Sequence, residues 1–186
     1  MQLTYETPRL TLQILKPDHK NAERVLAFYD QNRELFEAYE PDRVPNYYTT
    51  AFQREVLKYE YDMAVKQAHL RFYIFLKEDP EIPIGTVCFH NIQRNYYNRC
   101  EIGYKIAAAH HRKGYAKEAI NYALTAVFEE LGIHRVNAWV DVENAPSLAL
   151  LDKLGFEREG VCKDYLFSHG VYKDHVAFCM INPFHG

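Results

Sequence analysis

The sequence predicts an α/β (α+β) fold built on a mixed, mostly antiparallel sheet of seven strands. Three observations support this prediction: seven segments that alternate apolar and polar residues, four segments with apolar residues at helical spacing, and one strand–helix–strand unit over residues 100–142. Parallel strands need such a crossover, whereas short connections favour antiparallel neighbours. The predicted order is β-α-α-β-β-β-α-β-α-β-β, within a single domain that spans residues 1–186.

The first half of the chain supplies four of the predicted strands and two helices. Residues 9–15 alternate apolar and polar side chains, which predicts a strand. Pro17 and Asp18 open the first helix, and Thr50 with Gln53 resembles a capping box at the start of the second. Alternation with a period of two then predicts three further strands, over 71–77, 84–92 and 100–106.

The second half supplies a long helix, a short helix and three strands. Apolar residues at helical spacing predict a helix over 114–131, which Gly132 ends. Asn144 is placed to cap a shorter helix that ends at Gly155. The last two strands form a hairpin with its turn at 169–170. The three strands are predicted over 134–142, 156–167 and 171–181.

Composition and charge exclude several classes of function. The 186 residues are 48% hydrophobic and 25% charged, as in ordinary globular proteins. The formal net charge is −3 and no block of like charges occurs, which argues against direct binding of nucleic acid through its phosphates. No apolar run has the length that spans a membrane, and the nine histidines are dispersed. We therefore expect neither a membrane nor a metal as partner.

The four cysteines indicate a reducing compartment. Cys88, Cys100, Cys162 and Cys179 lie in apolar or strand-like segments, and none forms a C-x-x-C pair. Buried, reduced thiols are typical of cytosolic proteins. We therefore expect a cytoplasmic protein in which no cysteine acts as a nucleophile. The expected oligomeric state is a monomer or a homodimer.

The segment before the third helix has the features of an anion-binding loop. Backbone N–H groups at a helix start have no partner within the helix, and the helix dipole favours a negative charge there. Gly114 lacks the Cβ that would obstruct close approach, and Arg112, Lys113 and Lys117 add positive charge. The segment suits a pyrophosphate, although neither the P-loop nor the dinucleotide-binding pattern is present. A basic first turn on an ordinary helix explains the same residues equally well.

A second motif follows the next predicted strand. Asn144 and Ser147 form the pattern Asn-x-x-Ser ahead of a helix that ends in Leu-Gly-Phe at 154–156. With the loop at 111–117, this pattern resembles the cofactor loop and its downstream partner in the GNAT acyltransferase superfamily. Three more segments resemble the branch of RimJ/RimL-like ribosomal-protein-alanine N-acetyltransferases: Thr-Pro-Arg-Leu-Thr-Leu at 7–12, Cys-Glu-Ile-Gly-Tyr at 100–104 and Gly-Val-Tyr-Lys-Asp at 170–174.

Two positions depart from the family pattern. His111 stands where Arg or Gln is usual, and we expect little effect because that loop mainly offers backbone amides. The helix after Asn144 contains Leu150 and Leu151 and lacks the Tyr that serves many family members as general acid. That role is therefore not carried over to the helix of this chain.

The resemblance implies a mode of binding acetyl-CoA. Helices cover both faces of the sheet, and the central parallel strands 100–106 and 134–142 splay apart to admit acetyl-CoA, with no metal. Asn144 would face the pantetheine arm, and the backbone of Tyr104, Lys105 and Ile106 would pair with it. The pyrophosphate would be held by the loop residues Arg112, Lys113, Gly114, Tyr115, Ala116 and Lys117.

The resemblance also implies direct transfer of the acetyl group to an amine, with no covalent enzyme intermediate. Glu101 is the candidate base, because the amine must lose a proton and alternation places Glu101 on one face with Gly103. An ion-paired or solvent-facing glutamate is the alternative. Ser147 matches the proposed proton donor to the departing thiolate, or else supports the first helical turn. Tyr165 is a third catalytic candidate.

The sequence leaves the acceptor amine open. The branch resembled here implies the N-terminal α-amine of a ribosomal protein, whereas a polyamine, an aminoglycoside or an amino acid would suit the same enzyme class. A sensor that binds acyl-CoA without catalysis is the alternative from another class. Acceptor specificity is expected from residues 28–48, the second helix and the final hairpin. The first of these regions is aromatic, with Phe36, Tyr39, Tyr47 and Tyr48.

Overall fold

The computed structural model describes residues 2–184 and shows eight strands and five α-helices in that range. The strands are β1 (Thr4–Glu6), β2 (Leu10–Gln13), β3 (Leu70–Leu76), β4 (Gly85–Gln93), β5 (Arg99–Ile106), β6 (Arg135–Asp141), β7 (Glu157–Ser168) and β8 (Val171–Ile181). The helices are α1 (His19–Gln31), α2 (Arg33–Glu37), α3 (Thr50–Val65), α4 (Tyr115–Leu131) and α5 (Ala145–Leu154). A short 3₁₀ turn, Ala108–His110, precedes α4.

The eight strands form one open sheet in the order β1-β2-β3-β4-β5-β6-β8-β7. Neighbouring strands are antiparallel except β5 and β6, which run parallel. Helix α4 forms the crossover between those two strands. The predicted mixed, mostly antiparallel sheet with one parallel unit is therefore confirmed.

The predicted number of seven strands is wrong by one, at the N-terminal edge of the sheet. Strand β1 has three residues and pairs antiparallel with β2, with Thr4 opposite Gln13. Three residues are too few for a period-two pattern to stand out from its surroundings. The sequence pattern also does not show α2, whose five residues follow α1 almost directly.

Local side chains and glycines set the helix ends. The Asp18 carboxylate accepts the Asn21 N–H at 2.8 Å at the start of α1. Gly132 has a φ of 62° and Gly155 a φ of 87°, so each takes the left-handed conformation that ends a helix and that L side chains rarely adopt. Both ends match the prediction.

The capping box predicted for α3 is wrong. Thr49, one residue earlier than Thr50, is the cap, and its hydroxyl accepts the Phe52 N–H at 3.2 Å. Gln53 is buried and donates from its amide to the Tyr47 carbonyl at 2.7 Å, so it does not reach back to the helix start. Two consecutive threonines make the cap ambiguous from sequence, since either hydroxyl suits the role.

Two hydrophobic cores lie on opposite faces of the sheet, and alternation along β3 separates them. Phe72 and Ile74 are fully buried in the core that contains α4 and α5, a side that we call the α4 face. Tyr73 and Phe75 lie in the core that contains α1 and α3, which we call the α3 face. Burying one such side chain contributes about 1.5–3 kcal/mol. Helices on both faces of the sheet are thus confirmed.

The parallel strands β5 and β6 separate soon after they meet. They pair at only three positions, the last of which joins Glu101 to Asn137. Strand β5 nevertheless stays paired to β4 as far as Ile106, and β6 stays paired to β8 as far as Asp141. The two strands therefore splay apart in the middle of the sheet, as predicted.

Candidate active site

A cavity of about 520 Å³ occupies the gap between β5 and β6. Tyr104 and Val140, whose side chains share the α4 face, line it. Gly103, Lys105 and Trp139, which alternate onto the α3 face, line it as well. Because side chains from both faces contribute, the cavity passes through the sheet at the point where the strands separate.

The edge of β5 that faces the cavity has no partner strand beyond Glu101. An extended ligand can pair with such an edge through backbone hydrogen bonds. Of the three residues predicted to do so, Tyr104 and Lys105 line the cavity. Ile106 is buried in the core on the α4 face, and its carbonyl oxygen lies 2.8 Å from His111 Nε2. His111 thus braces the end of this strand.

The predicted pyrophosphate loop is an exposed turn that leads into α4. Arg112 and Gly114 have φ values of 59° and 82°, so the chain bends sharply before the helix begins at Tyr115. Gly114 caps α4 without any side-chain hydrogen bond, which leaves the first N–H groups of the helix available. Arg112, Lys113 and Lys117 are exposed beside them, whereas Ala116 is partly buried. The arrangement fits an anion.

Arg9 holds this loop in place, a role that the sequence does not reveal. Its guanidinium bonds Glu118 at 2.7 Å, donates to the Lys113 carbonyl at 3.0 Å and lies 4.6 Å from the centre of the Tyr115 ring. Thr7 donates to Glu118 at 2.6 Å. Partial burial opposes ionisation, but the hydrogen bonds from Thr7 and Arg9 prevail and lower the pKa of Glu118. The Thr-Pro-Arg motif therefore ties the N-terminal strands to the start of α4.

Two hydroxyl groups face each other on the cavity wall. The Tyr104 hydroxyl lies 2.6 Å from Ser147 Oγ, and both residues line the cavity. Asn144, also on the wall, accepts the Ser147 N–H at 3.2 Å and so caps α5 as predicted. Burial raises the pKa of Tyr104 to about 12, so its hydroxyl keeps its proton at neutral pH. The sequence predicts only a backbone role for Tyr104, because its partner is 43 residues away.

Glu101 lies at the last paired position of β5, on the face predicted for it. Its carboxylate accepts from the Asn91 amide at 2.7 Å and lies 3.9 Å from His90 Nδ1. Among the described residues, those that line the cavity include His90 and Gly103 but not Glu101. The carboxylate is therefore next to the cavity wall and separated from the cavity itself.

Tyr165 also stands behind the wall. Its ring stacks on Trp139 with 4.7 Å between centres and lies 5.2 Å from the ring of His175. Trp139 and His175 line the cavity. Burial raises the pKa of Tyr165 to about 12. Its hydroxyl remains protonated at neutral pH, and of the two stacked rings only the indole of Trp139 is among the described residues that line the cavity.

Charged side chains form the cavity wall on the α3 face. The Lys105 ammonium pairs with Glu40 and lies 5.2 Å from the ring centres of both Tyr29 and Phe36. Arg43 also pairs with Glu40. Burial lowers the pKa of Lys105, the nearby cations Arg71 and Arg43 lower it further, and the carboxylate of Glu60 opposes this shift. The sequence does not predict this pair, because its members are 65 residues apart.

A second ion pair supports the same wall. Arg71 donates to Glu60 at 2.6 Å, and the Tyr73 hydroxyl donates to the other oxygen of that carboxylate at 2.9 Å. Arg71 and Glu60 line the cavity. This ion pair links strand β3 to helix α3. Burial disfavours an isolated charge, and here each charge has an opposite partner.

The segment after α2 is fixed over the cavity by the final hairpin. Ser168 donates to the Glu40 carbonyl at 3.2 Å, and His169 lies 2.8 Å from the Asp42 carboxylate. Of the aromatic residues predicted near the acceptor, Tyr39 and Tyr47 line the cavity. Phe36 and Tyr48 do not, because Phe36 is buried in the core and the Tyr48 hydroxyl bonds Glu37 at 2.7 Å.

The remaining sequence predictions concern cysteines, metals and membranes. The four cysteines are unpaired, and three of them are buried. Within residues 2–184, no three His, Cys, Asp or Glu side chains are grouped so as to hold a metal ion. None of the helices described is both long and apolar enough to cross a membrane.

Comparison with known proteins identifies the family. The Acetyltransferase (GNAT) domain matches residues 9–157. The chain is 32% identical over 173 residues to the "Probable N-acetyltransferase YjcK" of Bacillus subtilis (strain 168), covering 93% of this chain and 95% of the relative. It is 31% identical over 178 residues to the ribosomal protein uS5-alanine N-acetyltransferase of Escherichia coli (strain K12), covering 95% and 90%.

Solved structures show the same fold. The ribosomal-protein-S5-alanine acetyltransferase of Vibrio fischeri gives a TM-score of 0.91 at 24% identity, with 98% of each chain covered. Other structures of this fold contain CoA or acetyl-CoA. The chain belongs to the GNAT acetyltransferase family: it is an N-acetyltransferase whose acetyl donor is acetyl-CoA. The resemblance drawn from the sequence motifs is confirmed.

Proposed function

We propose that this N-acetyltransferase acetylates the N-terminal α-amine of a protein, of the ribosomal-protein type, in the cytoplasm. The observation that supports this most is the cavity through the sheet, which connects the unpaired edge of β5 to a charged and aromatic wall on the α3 face. A volume of about 520 Å³ suits the end of a chain and not a folded surface. The Escherichia coli relative, by name, acts on an alanine of ribosomal protein uS5.

The residues that would hold acetyl-CoA are those on the β5 edge and at the start of α4. The unpaired backbone at Tyr104 and Lys105 suits an extended amide-bearing arm, and Asn144 lies across the gap from it. The uncapped N–H groups after Gly114 suit the pyrophosphate, with the basic side chains of the loop beside them. When bound, acetyl-CoA supplies an activated thioester.

The proton-transfer groups are proposed from their positions on the cavity wall. The hydroxyl pair of Tyr104 and Ser147 is placed to give a proton to the departing thiolate, because both hydroxyls are protonated and face the gap. Glu101 lies on the route by which the proton of the attacking amine leaves. Tyr165, whose ring stacks on Trp139, is the third candidate and would take the donor role if the hydroxyl pair does not.

A comparison of acceptors tests the proposed function. The protein and labelled acetyl-CoA are incubated with one acceptor at a time: a peptide matching the N-terminus of ribosomal protein uS5, a polyamine, an aminoglycoside or a free amino acid. We expect the peptide to have the highest kcat/KM. A cell lysate treated in the same way and read by mass spectrometry identifies any protein acceptor.

Each other outcome has a definite meaning. Preference for a small amine would keep the enzyme class and overturn the protein acceptor. Tight binding of acetyl-CoA with no transfer to any amine would instead favour a sensor that has lost catalysis.

A further inference from the structure

The side chain of His90 is a titratable group on the cavity wall to which the mechanism above gives no role. Strand β4 carries it on the α3 face, in the row that also holds Glu101 of β5. His90 Nε2 lies 3.9 Å from the position that a Cβ on Gly103 would occupy. Because Gly103 has no side chain, this ring nitrogen faces open space beside the splayed strand, two residues past the last pairing with β6.

The other ring nitrogen of His90 faces a carboxylate. His90 Nδ1 is 3.9 Å from Glu101, too far for a direct hydrogen bond and within reach of a small movement or one bridging water. The Asn91 amide holds the other oxygen of Glu101 at 2.7 Å, so this carboxylate is fixed in place. An acceptor beside Nδ1 favours the tautomer in which Nδ1 carries the proton and Nε2 has a free lone pair. Nε2 is the ring nitrogen beside Gly103, and both residues line the cavity.

The surroundings keep His90 neutral. Burial lowers its pKa, Glu101 on β5 opposes this shift, and Arg71 on β3 reinforces it. The neighbouring ring of His69 lies 6.4 Å away, and burial lowers the pKa of His69 to about 4, so it adds no positive charge near neutral pH. Cys88, on the same strand as His90, is buried, and burial raises its pKa, so it adds no negative charge. A neutral imidazole can accept a proton.

We propose that His90 Nε2 is the general base of the acetyl transfer and that Glu101 positions its ring. This inference rests on the proposed function. The amine nitrogen forms a bond to the acetyl carbonyl carbon while its proton passes to His90 Nε2. The carbon–sulfur bond then breaks, and the CoA thiolate takes a proton from the Tyr104–Ser147 hydroxyl pair. Exchange with water returns His90 and the hydroxyl pair to their starting states.

The inference is tested with peptides that carry a free N-terminal alanine and with labelled acetyl-CoA, over a range of pH. His90→Gln should lower kcat at neutral pH roughly a hundredfold, the lower end of what general base catalysis contributes. The loss should shrink as pH rises and solvent becomes the better base. Added imidazole should restore part of the turnover of His90→Ala, because it replaces the missing ring.

Two further variants separate a base from a structural residue. In a plot of kcat against pH, kcat falls in acid as the base becomes protonated. Glu101→Gln should move this fall to lower pH, because Glu101 raises the pKa of His90. His90→Gln, which removes the base itself, should abolish the fall. His69→Gln is the matched control: its ring neighbours His90, and it is not among the described cavity-lining residues. It should retain the wild-type pH profile.

The outcomes distinguish this inference from the proposed function. If His90→Gln matches the wild type at every pH, His90 is not the base, while transfer to the peptide still supports the proposed function. If imidazole restores nothing and the variant also loses affinity for acetyl-CoA, the role is structural and the inference fails. If the wild-type protein itself acetylates no amine, the proposed function fails first.

Discussion

The two sides of the cavity are built in different ways. On the α4 face, the elements expected to hold acetyl-CoA are a loop over residues 111–117, the start of α5 and an unpaired strand edge, all of them short segments that offer backbone groups. On the α3 face, the wall consists of side chains from distant parts of the chain, such as Lys105 with Glu40 and Arg71 with Glu60. Recognition through backbone leaves a local sequence signature, whereas recognition through paired side chains does not.

The largest effect should come from a substitution of Gly114, in the loop expected to bind the pyrophosphate through its backbone. Its φ is 82° and a Cβ there would lie 3.3 Å from Arg9, so Gly114→Val strains the loop and moves its N–H groups. We expect the affinity for CoA to fall roughly a hundredfold or more in a calorimetric titration, since several contacts to one pyrophosphate are lost together. Gly155→Val is the control, because Gly155 has a φ of 87° and no atom within 4 Å of an added Cβ. Equal affinities in the two variants would contradict the assignment of this loop.

The hydroxyl pair gives the next largest effect. Ser147→Ala and Tyr104→Phe should each lower kcat and kcat/KM together, by roughly tenfold to a hundredfold, since each removes a proton donor that acts in the transition state. Because the two hydroxyls share one hydrogen bond, the double variant should cost less than the product of the single effects. Steady-state kinetics with the peptide acceptor measure this. A wild-type kcat in Ser147→Ala would return that residue to a structural role and direct attention to Tyr165.

Substitutions in the side-chain wall on the α3 face are expected to lower the stability of the fold more than the activity. Lys105→Met leaves Glu40 with Arg43 as its remaining cationic partner, in a site where the Lys105 and Glu40 side chains are 15% and 24% exposed. We expect unfolding in urea to be easier by about 2 kcal/mol, somewhat less than the roughly 3–5 kcal/mol of a fully buried pair. Lys163→Met is the matched control, because its ion pair with Asp174 involves a side chain that is 78% exposed. A similar loss of unfolding free energy in both variants would show that the ion pair in the wall stabilises the fold no more than an exposed pair does.

The smallest effect concerns pH and the link between Arg9 and Glu118. The pKa of Glu118 is lowered in the folded protein, so its ionised form stabilises the fold above the ordinary pKa of 4.5. This stabilisation is lost as the pH falls below 4.5 and through the lowered folded value. Glu118→Gln should therefore be less stable than wild type near neutral pH, with a gap that closes in acid. Urea unfolding at several pH values measures the gap, and a gap that widens in acid would contradict this explanation.

Most of the fold could be predicted from the sequence, and the exceptions are short or ambiguous. Alternation identified the seven longer strands, and the three residues of β1 gave too little pattern. The parallel pair followed from the length of its connection. The cap of α3 was displaced by one residue because Thr49 and Thr50 are chemically equivalent. The extent of one domain over 1–186 stays a prediction, and residues 1, 185 and 186 lie outside the described range.

In the candidate site, too, local features could be predicted from the sequence and contacts between distant elements could not. The cap at Asn144, the place of Ser147 after it and the turn before α4 could be predicted, since each is a short motif whose backbone geometry follows from a glycine or a cap; their roles in binding and catalysis stay predictions. The contacts of His90, Arg9 and Lys105 could not be predicted, because each side chain meets a partner supplied by another element. Glu101 shows the limit: alternation gave its face correctly, but not the neighbouring histidine on β4, which lines the cavity where Glu101 does not.

The sequence by itself determined the mixed sheet, the crossover and the loop at Gly114, because each depends on residues within one element or its flanks. Only the tertiary structure decided which side chains meet across the gap. Pairs such as Tyr104 with Ser147 and Lys105 with Glu40 are 43 and 65 residues apart, and no local pattern encodes such a contact. Their placement depends on the strand register and on the point at which β5 leaves β6, which packing across the whole sheet fixes.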